Sequence, residues 1–146
     1  MNETIADQDE RIMSALAHGS IILFGMGIIA AVVIWATQKD RSRYVAFQAL
    51  QALVYQIVGF AVYFAGMCCW LALYFLSFIP LMAAAEQGSS DPPLFFLGSM
   101  ALMVVPFALM GLWILGGLWG AVRTLQGREF RYAVLGGQLE RWLATS

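Results

Sequence analysis

Four polar side chains line one face of a predicted helix, and hydrogen bonding is the chemistry that they could perform. They follow one another at spacings of four, three and four residues: Tyr44, Gln48, Gln51 and Tyr55. At 100° per residue they fall within about a sixth of the helix circumference, and the residues between them are apolar. This polar stripe must face another helix, a cavity or lipid headgroups. Packing within the chain and contact with a partner subunit both fit it.

Two other residue types could take part in chemistry. His18 is the only histidine, and its neutral imidazole could be an axial ligand to a metal centre, including the magnesium of a chlorophyll-type pigment. A lone histidine at headgroup depth is more commonly solvated or hydrogen-bonded to backbone. Cys68 and Cys69 are adjacent, so they point about 100° apart on a helix and cannot form an ordinary disulfide with each other. We expect both to be buried packing residues.

Common catalytic motifs are missing from the sequence, including HExxH, the Walker loop, the nucleophile elbow and paired carboxylates. The long apolar runs also lack the ionisable residues that pumps and proton-coupled transporters commonly carry. We therefore expect a protein that is not an enzyme and has no intrinsic cofactor or metal. Structural lipid is expected, and a pigment contact through His18 stays open.

The composition indicates a membrane protein. Apolar residues make up 61% of the chain and charged residues 12%, whereas roughly a quarter of the residues in soluble proteins are charged. Three runs contain no Asp, Glu, Lys, Arg or His: residues 19–38, 44–85 and 92–122. Each reaches the roughly 20 residues that cross a bilayer as a helix. We predict an all-α integral membrane protein with three transmembrane helices and short interfacial helical segments at both termini.

The predicted topology is a single membrane domain over residues 1–146. The expected spans are residues 16–37, 53–80 and 94–122, which leave a loop at 38–43, a loop at 86–93 and a tail at 123–146. Seven of the eight basic residues lie in the first loop and the tail: Lys39, Arg41, Arg43, Arg123, Arg128, Arg131 and Arg141. The positive-inside rule makes these two segments cytoplasmic, and the seven residues should contact lipid headgroups. The N-terminus, with Arg11, and the 86–93 loop would then be periplasmic, in a multi-pass inner-membrane protein.

Two local patterns indicate where helices begin and approach one another. Asp7 stands three residues before Glu10, as in a capping box, which predicts the start of the first helix. Gly116 and Gly120 form a GxxxG pair on the third predicted span, where small residues allow a close approach. With the polar stripe, these glycines are the candidates for contact with a partner or another helix.

Several short motifs occur in order along most of the chain. They are Glu10-Arg11 with Ala17-His18, Trp35 with Lys39-Asp40-Arg41-Ser42, the segment 47–53, and Gly127 with Arg131-Tyr132 and Gly136. Their arrangement resembles a family of small membrane proteins of unknown function related to the twenty-kilodalton subunit of the plastid inner-envelope import translocon. Members of that family often have His where Gln48 stands and Pro where Ala133 stands. The resemblance implies a helical membrane fold and supplies no activity.

Two functions compete at this point. The first is a non-catalytic accessory or assembly subunit of a larger membrane complex, such as a bacterial photosynthetic reaction-centre, light-harvesting or respiratory complex. Its partners would be membrane lipids and other integral membrane subunits, with no nucleic acid. The second, suggested by the resemblance, is an oligomeric translocon-like channel or protein-insertion component. A channel needs a polar lining, and the spans offer few residues for it: chiefly Gln48, Gln51, Gln56, Ser77 and Ser99.

Overall fold

All regular secondary structure is helical in residues 6–88, 92–128 and 130–132, which the computed structural model describes. The elements follow in this order: α1 (Gln8–Gly19), a 3-10 helix (Ser20–Leu23), α2 (Gly25–Gln38), α3 (Arg43–Leu76), α4 (Phe78–Glu86), α5 (Leu94–Ala101) and α6 (Val104–Leu125). The predicted all-α class is confirmed for this part of the chain. The interfacial helix expected in the tail lies outside the described residues.

The capping box at the start of α1 is present. The Asp7 carboxylate accepts a hydrogen bond from the Gln8 backbone N–H at 2.7 Å, and the Glu10 carboxylate accepts one from the Asp7 backbone N–H at 3.0 Å. These bonds occupy donors that a helix start otherwise leaves without partners. The predicted start of the first helix is therefore confirmed.

The chain reverses direction after α1. A 3-10 helix follows Gly19, and Phe24 then adopts a left-handed φ of 55° before α2 begins. At the other end of α2, only residues 39–41 separate the helix from Ser42, whose hydroxyl donates to the Glu10 carboxylate at 2.6 Å. Because Glu10 lies in the first turn of α1, α2 must run back alongside α1. The two helices form a hairpin.

This hairpin replaces the continuous helix that we expected over residues 16–37. α2 has 14 residues and a length of about 21 Å, which is short of the roughly 30 Å hydrocarbon core. The uninterrupted apolar run does not reveal the reversal, since a hairpin and a span can have the same composition. At the break, the Ser20 hydroxyl lies within hydrogen-bonding distance of two carbonyl oxygens, those of Ala17 at 2.8 Å and Gly27 at 3.1 Å.

Two helical segments of the described chain are long and apolar enough to cross a membrane. The first is Arg43–Glu86, which comprises α3 and α4, and the second is Leu94–Leu125, which comprises α5 and α6. The predicted spans at residues 53–80 and 94–122 lie within these segments. The structure therefore has two helical segments of this kind where the sequence indicated three spans.

The described residues form two compact units, one within Met1–Phe60 and Trp113–Ser146 and the other within Ala61–Leu112. In the second unit, the Trp70 indole N–H donates to the Ser99 carbonyl at 2.9 Å, and the Ser99 hydroxyl donates to the Ser77 hydroxyl at 3.0 Å. Cys68 and Cys69 are exposed, so the expectation that they are buried is wrong. Within this unit, other residues cover only part of the α3 surface. Both thiols lie on the uncovered part.

The core of the first unit is built from small side chains. Ala17 of α1 packs against Ala49 and Ala52 of α3, and Ile34 and Trp35 of α2 cover this contact. Alanines allow helix backbones to approach closely, which aligns α1 with the first turns of α3. This alignment places His18 opposite the polar stripe.

Candidate functional site: a buried polar network

A network of hydrogen-bonded polar groups lies in the first unit, between α1, the first turns of α3 and the segment Phe130–Tyr132. We define the buried polar network as the side chains of His18, Gln48, Gln51 and Tyr132 with the backbone of Phe130. The two glutamines are 0% exposed and His18 is 1% exposed. A buried polar group is costly unless it is hydrogen-bonded, so the partners of these groups determine how the unit packs.

His18 uses both ring nitrogens. Its Nε2 lies 3.1 Å from Oε1 of Gln48, and its Nδ1 lies 3.1 Å from the Tyr132 hydroxyl. An amide oxygen can only accept, so Nε2 carries the proton, and Nδ1 of the neutral imidazole accepts from the Tyr132 hydroxyl. No ring nitrogen is left for a metal or pigment. The interpretation of His18 as an axial ligand therefore disagrees with the structure.

The two glutamines form hydrogen bonds with the backbone of the segment Phe130–Tyr132. The amide nitrogens of Gln48 and Gln51 both donate to the Phe130 carbonyl, at 3.1 and 3.2 Å. The Tyr132 N–H donates to Oε1 of Gln51 at 3.2 Å. Gln51 thus binds the C=O of one residue and the N–H of the residue two further on, as a neighbouring β-strand would. The polar stripe fixes a segment that is some 80 residues away in sequence.

Aromatic rings surround the network. The rings of Tyr55 and Tyr132 are stacked, with centroids 4.0 Å apart and an interplanar angle of 7°. The Phe130 ring meets the His18 ring edge-on at 5.6 Å. The Tyr55 hydroxyl donates to the Trp113 carbonyl of α6 at 2.9 Å. Tyr55 therefore connects α3 with both α6 and the segment Phe130–Tyr132. Tyr44, the first residue of the polar stripe, is half-buried.

The GxxxG pair of α6 faces this network. A Cβ at Gly116 would overlap the Tyr55 hydroxyl, and one at Gly120 would lie 2.9 Å from the Phe130 ring and 3.1 Å from Nδ1 of His18. Side chains at these positions would displace the aromatic rings. In this structure, the small residues and the glutamines of the stripe make their contacts within the chain.

Burial keeps the titratable groups of the network neutral. It lowers the pKa of His18 to about 4, an effect that the hydrogen bond to Gln48 partly opposes. It also raises the pKa of the Tyr132 hydroxyl above its usual range, with a further contribution from the neighbouring Tyr55. His18 belongs to α1, outside the two segments that can cross a membrane. At neutral pH the network can therefore position segments through neutral hydrogen bonds.

We expect the protein to lose stability in mild acid because of His18. The unfolded chain binds a proton near pH 6.5 and the folded chain only near pH 4, so the stabilisation is complete above pH 6.5 and falls as the pH decreases toward 4. Between pH 7 and pH 5 the loss should be about 2 kcal/mol. Unfolding of the detergent-solubilised protein at both pH values measures it. His18→Gln, which keeps one donor and one acceptor, should remove most of this difference, and an equal loss in the variant would contradict the assignment to His18.

The basic residues of the described chain gather near one end of the first unit. Arg11 packs against Gly127, where a Cβ would lie 2.7 Å from Cζ of the guanidinium, and Glu10 accepts from Ser42 in the adjoining loop. Three other basic side chains lie over aromatic rings. Lys39 is 6.0 Å from the centroid of the Trp35 ring, and Arg123 is 5.2 Å from that of Trp119. Arg131 is 6.0 Å from the centroid of the Phe47 ring. Arg41, Arg43 and Arg128 adjoin these positions in sequence, and Arg141 lies outside the described residues. Arg11 was expected on the opposite membrane face from the 38–43 loop, and the structure brings the two together.

Three positions form contacts that the sequence analysis did not predict. Gln56 is 1% exposed, and its amide nitrogen donates to the Ala17 carbonyl at 3.0 Å and the Ser20 hydroxyl at 3.1 Å. A glutamine inside an apolar helix was a signal that a polar partner lies opposite. Phe130 and Tyr132 gave no such signal, because their part in the network depends on contacts with distant residues. In the described part of the chain, no three His, Cys, Asp or Glu side chains form a group that could hold a metal ion.

In the described residues, the fold and the network are those of a small helical protein that has two segments long and apolar enough to cross a membrane and buried polar groups joined by neutral hydrogen bonds. The chain belongs to the MamF/MmsF family, the magnetosome magnetite crystal formation protein family, whose model matches residues 9–138. Comparison with curated proteins and with solved structures gave no match.

This family assignment corrects the resemblance drawn from short motifs. The motifs that suggested a relative of the plastid import translocon subunit lie within the matched residues, so that interpretation is wrong. They consist largely of Gly, Ala, aromatic and basic residues, which recur in many membrane helices and at their ends. The family likewise gives no support to a photosynthetic or respiratory complex.

Proposed function

We propose that the protein is a non-catalytic accessory protein of the magnetosome membrane that takes part in magnetite crystal formation. Its partners would be membrane lipids and other membrane proteins of that organelle. The observation that carries the proposal is the family match over residues 9–138. The two long apolar helical segments support a place in the membrane.

The buried polar network supports an accessory role. The hydrogen-bonding groups of His18, Gln48 and Gln51 are directed at the chain's own atoms, where they join three separate segments. Groups used in this way stabilise one arrangement of the helices. Contact with crystal-forming partners would then be made by the outer surface of that arrangement.

The competing channel function lacks such support. A channel would have to gather the polar stripes of several subunits around one axis. Gln48 and Gln51 are 0% exposed in a single chain, so neither side chain is available to line a pore in this conformation.

Deletion of the gene in its magnetite-forming host tests the proposal. We expect the deletion to shift the size or shape distribution of the crystals, measured by electron microscopy, and the full-length chain to restore it. Immunoblotting of purified magnetosomes should detect the protein in their membrane. A deletion strain with unchanged crystals, together with absence of the protein from purified magnetosomes, would overturn the proposal.

A further inference from the structure

We propose that α1, the 3-10 helix and α2 form a re-entrant hairpin that docks into the acyl chains of a single membrane leaflet. The partner of its outer face is lipid, and the leaflet is the one that contacts the basic end of the first unit. In this arrangement the hairpin enters and leaves the membrane on the same side. The protein crosses the bilayer twice, through Arg43–Glu86 and Leu94–Leu125.

The dimensions of the hairpin fit one leaflet better than a whole bilayer. α1 has 12 residues and α2 has 14, which correspond to about 18 and 21 Å of helix. A hydrocarbon core of about 30 Å exceeds both lengths. Since the two helices run in opposite directions, their lengths do not add. The turn at residues 20–24 would lie about 20 Å from the ends of the hairpin.

The contacts at the open end place three parts of the chain together. The Ser42 hydroxyl, just before α3, donates to Glu10 of α1 at 2.6 Å. Arg11 packs against Gly127, which follows α6. The first turn of α1, the start of α3 and the end of α6 are therefore on one side. Two crossings also place these ends on one side of the membrane, because an even number of spans returns the chain to the side from which it started.

Charge complementarity identifies the surface that receives this end. Among the described residues, seven basic side chains lie in or beside the hairpin ends and the end of α6: Arg11, Lys39, Arg41, Arg43, Arg123, Arg128 and Arg131. Only four acidic residues of the described chain share these segments: Asp7, Asp9, Glu10 and Asp40. Anionic headgroups attract each nearby basic residue by about 1 kcal/mol. The positive-inside rule assigns this end to the cytoplasmic leaflet.

Side chains of the same chain bond carbonyl groups beside the turn, and non-helical backbone at membrane depth needs such internal partners. Besides the hydrogen-bonding contacts of Ser20, the amide nitrogen of Gln56 donates to the Ala17 carbonyl and to the Ser20 hydroxyl. Gln56 is 13 residues beyond the start of α3, or about 20 Å along the helix. This distance matches the length of the hairpin. Gln56 therefore forms its hydrogen bonds at the depth of the turn between α1 and α2.

The outer face of the hairpin is apolar and uncovered around this turn. Leu16, Ile22, Leu23 and Met26 are each between 59% and 65% exposed. Such side chains would be strongly unfavourable in water, whereas acyl chains accommodate them. Polar groups turned inward and large apolar groups turned outward are the arrangement that a lipid environment requires.

Cysteine labelling separates the two-span arrangement from three spans. In a Cys68→Ala/Cys69→Ala background, Asp9→Cys, Arg41→Cys and Gln87→Cys place single thiols at exposed positions. An impermeant maleimide added to spheroplasts that express the full chain should label only Gln87→Cys. Permeabilisation should then expose the other two. Labelling of Asp9→Cys together with Gln87→Cys in intact spheroplasts would overturn the proposal.

Spin labelling tests the lipid contact by itself. A nitroxide attached to Ile22→Cys in the Cys68→Ala/Cys69→Ala background of the purified full-length protein, reconstituted in vesicles with anionic lipid, should collide with oxygen and be protected from a water-soluble nickel complex. A label on Arg41→Cys is the matched control and should show the reverse. Access of the nickel complex to Ile22→Cys would overturn the lipid contact, and so would protection from both reagents, which indicates a protein partner. Neither experiment depends on a role in crystal formation.

Discussion

Replacing Gln48 and Gln51 together by leucine is expected to lower the free energy of unfolding by about 4 kcal/mol and to release the segment Phe130–Tyr132 from α3. Leucine has a similar size but cannot form hydrogen bonds. His18 Nε2, the Phe130 carbonyl and the Tyr132 N–H would each lose a partner. A buried group left in this state costs about 1–3 kcal/mol, and the three losses overlap because the segment can move into solvent.

Two measurements test this prediction. Denaturant titration in detergent gives the stability, and hydrogen exchange at the Tyr132 amide reports on the segment, since that N–H donates to Gln51 in the folded chain. The amide should exchange slowly in the wild type and rapidly in the variant. Gln126→Leu is the matched control, because Gln126 is exposed. Unchanged exchange at Tyr132 in the double variant would contradict the hydrogen-bond assignment.

Gly27→Ala is expected to cost about 3 kcal/mol, the range of overpacking in a close-packed interior. A Cβ at Gly27 would overlap the backbone carbonyl of Ser20 and lie 2.8 Å from Oε1 of Gln56. The Ser20 carbonyl belongs to the backbone, so it cannot rotate away as a side chain could. The turn and the start of α2 must therefore separate, which also weakens the contact of Gln56 with the hairpin.

Gly66→Ala provides the comparison for this substitution. Gly66 lies in α3 with nothing within 4 Å of its Cβ position, so alanine should be neutral or stabilise the helix by up to about 1 kcal/mol. Thermal unfolding of both variants in the same detergent measures the difference. Equal stability of Gly27→Ala and Gly66→Ala would show that the hairpin does not close as tightly as the structure indicates.

The sequence by itself determined the features that depend on local composition and period. Apolar runs of sufficient length indicated helices for a membrane, and two segments of the structure meet that description. The Asp7–Glu10 spacing located the start of α1, because a capping box involves only neighbouring residues. The spacing of the polar stripe placed Gln48, Gln51 and Tyr55 on one face, since a regular helix fixes the angle between its side chains.

Only the tertiary structure decided what that face meets. The partner of Gln48 is a backbone carbonyl 82 residues away, and no local pattern in the sequence links the two. The reversal at Phe24 was hidden for a similar reason. A span and a hairpin both need apolar residues, and they differ in which distant groups satisfy the backbone at the break. Here Gln56 donates to the Ala17 carbonyl and to the Ser20 hydroxyl, and its position becomes meaningful only when α1 and α3 are packed together.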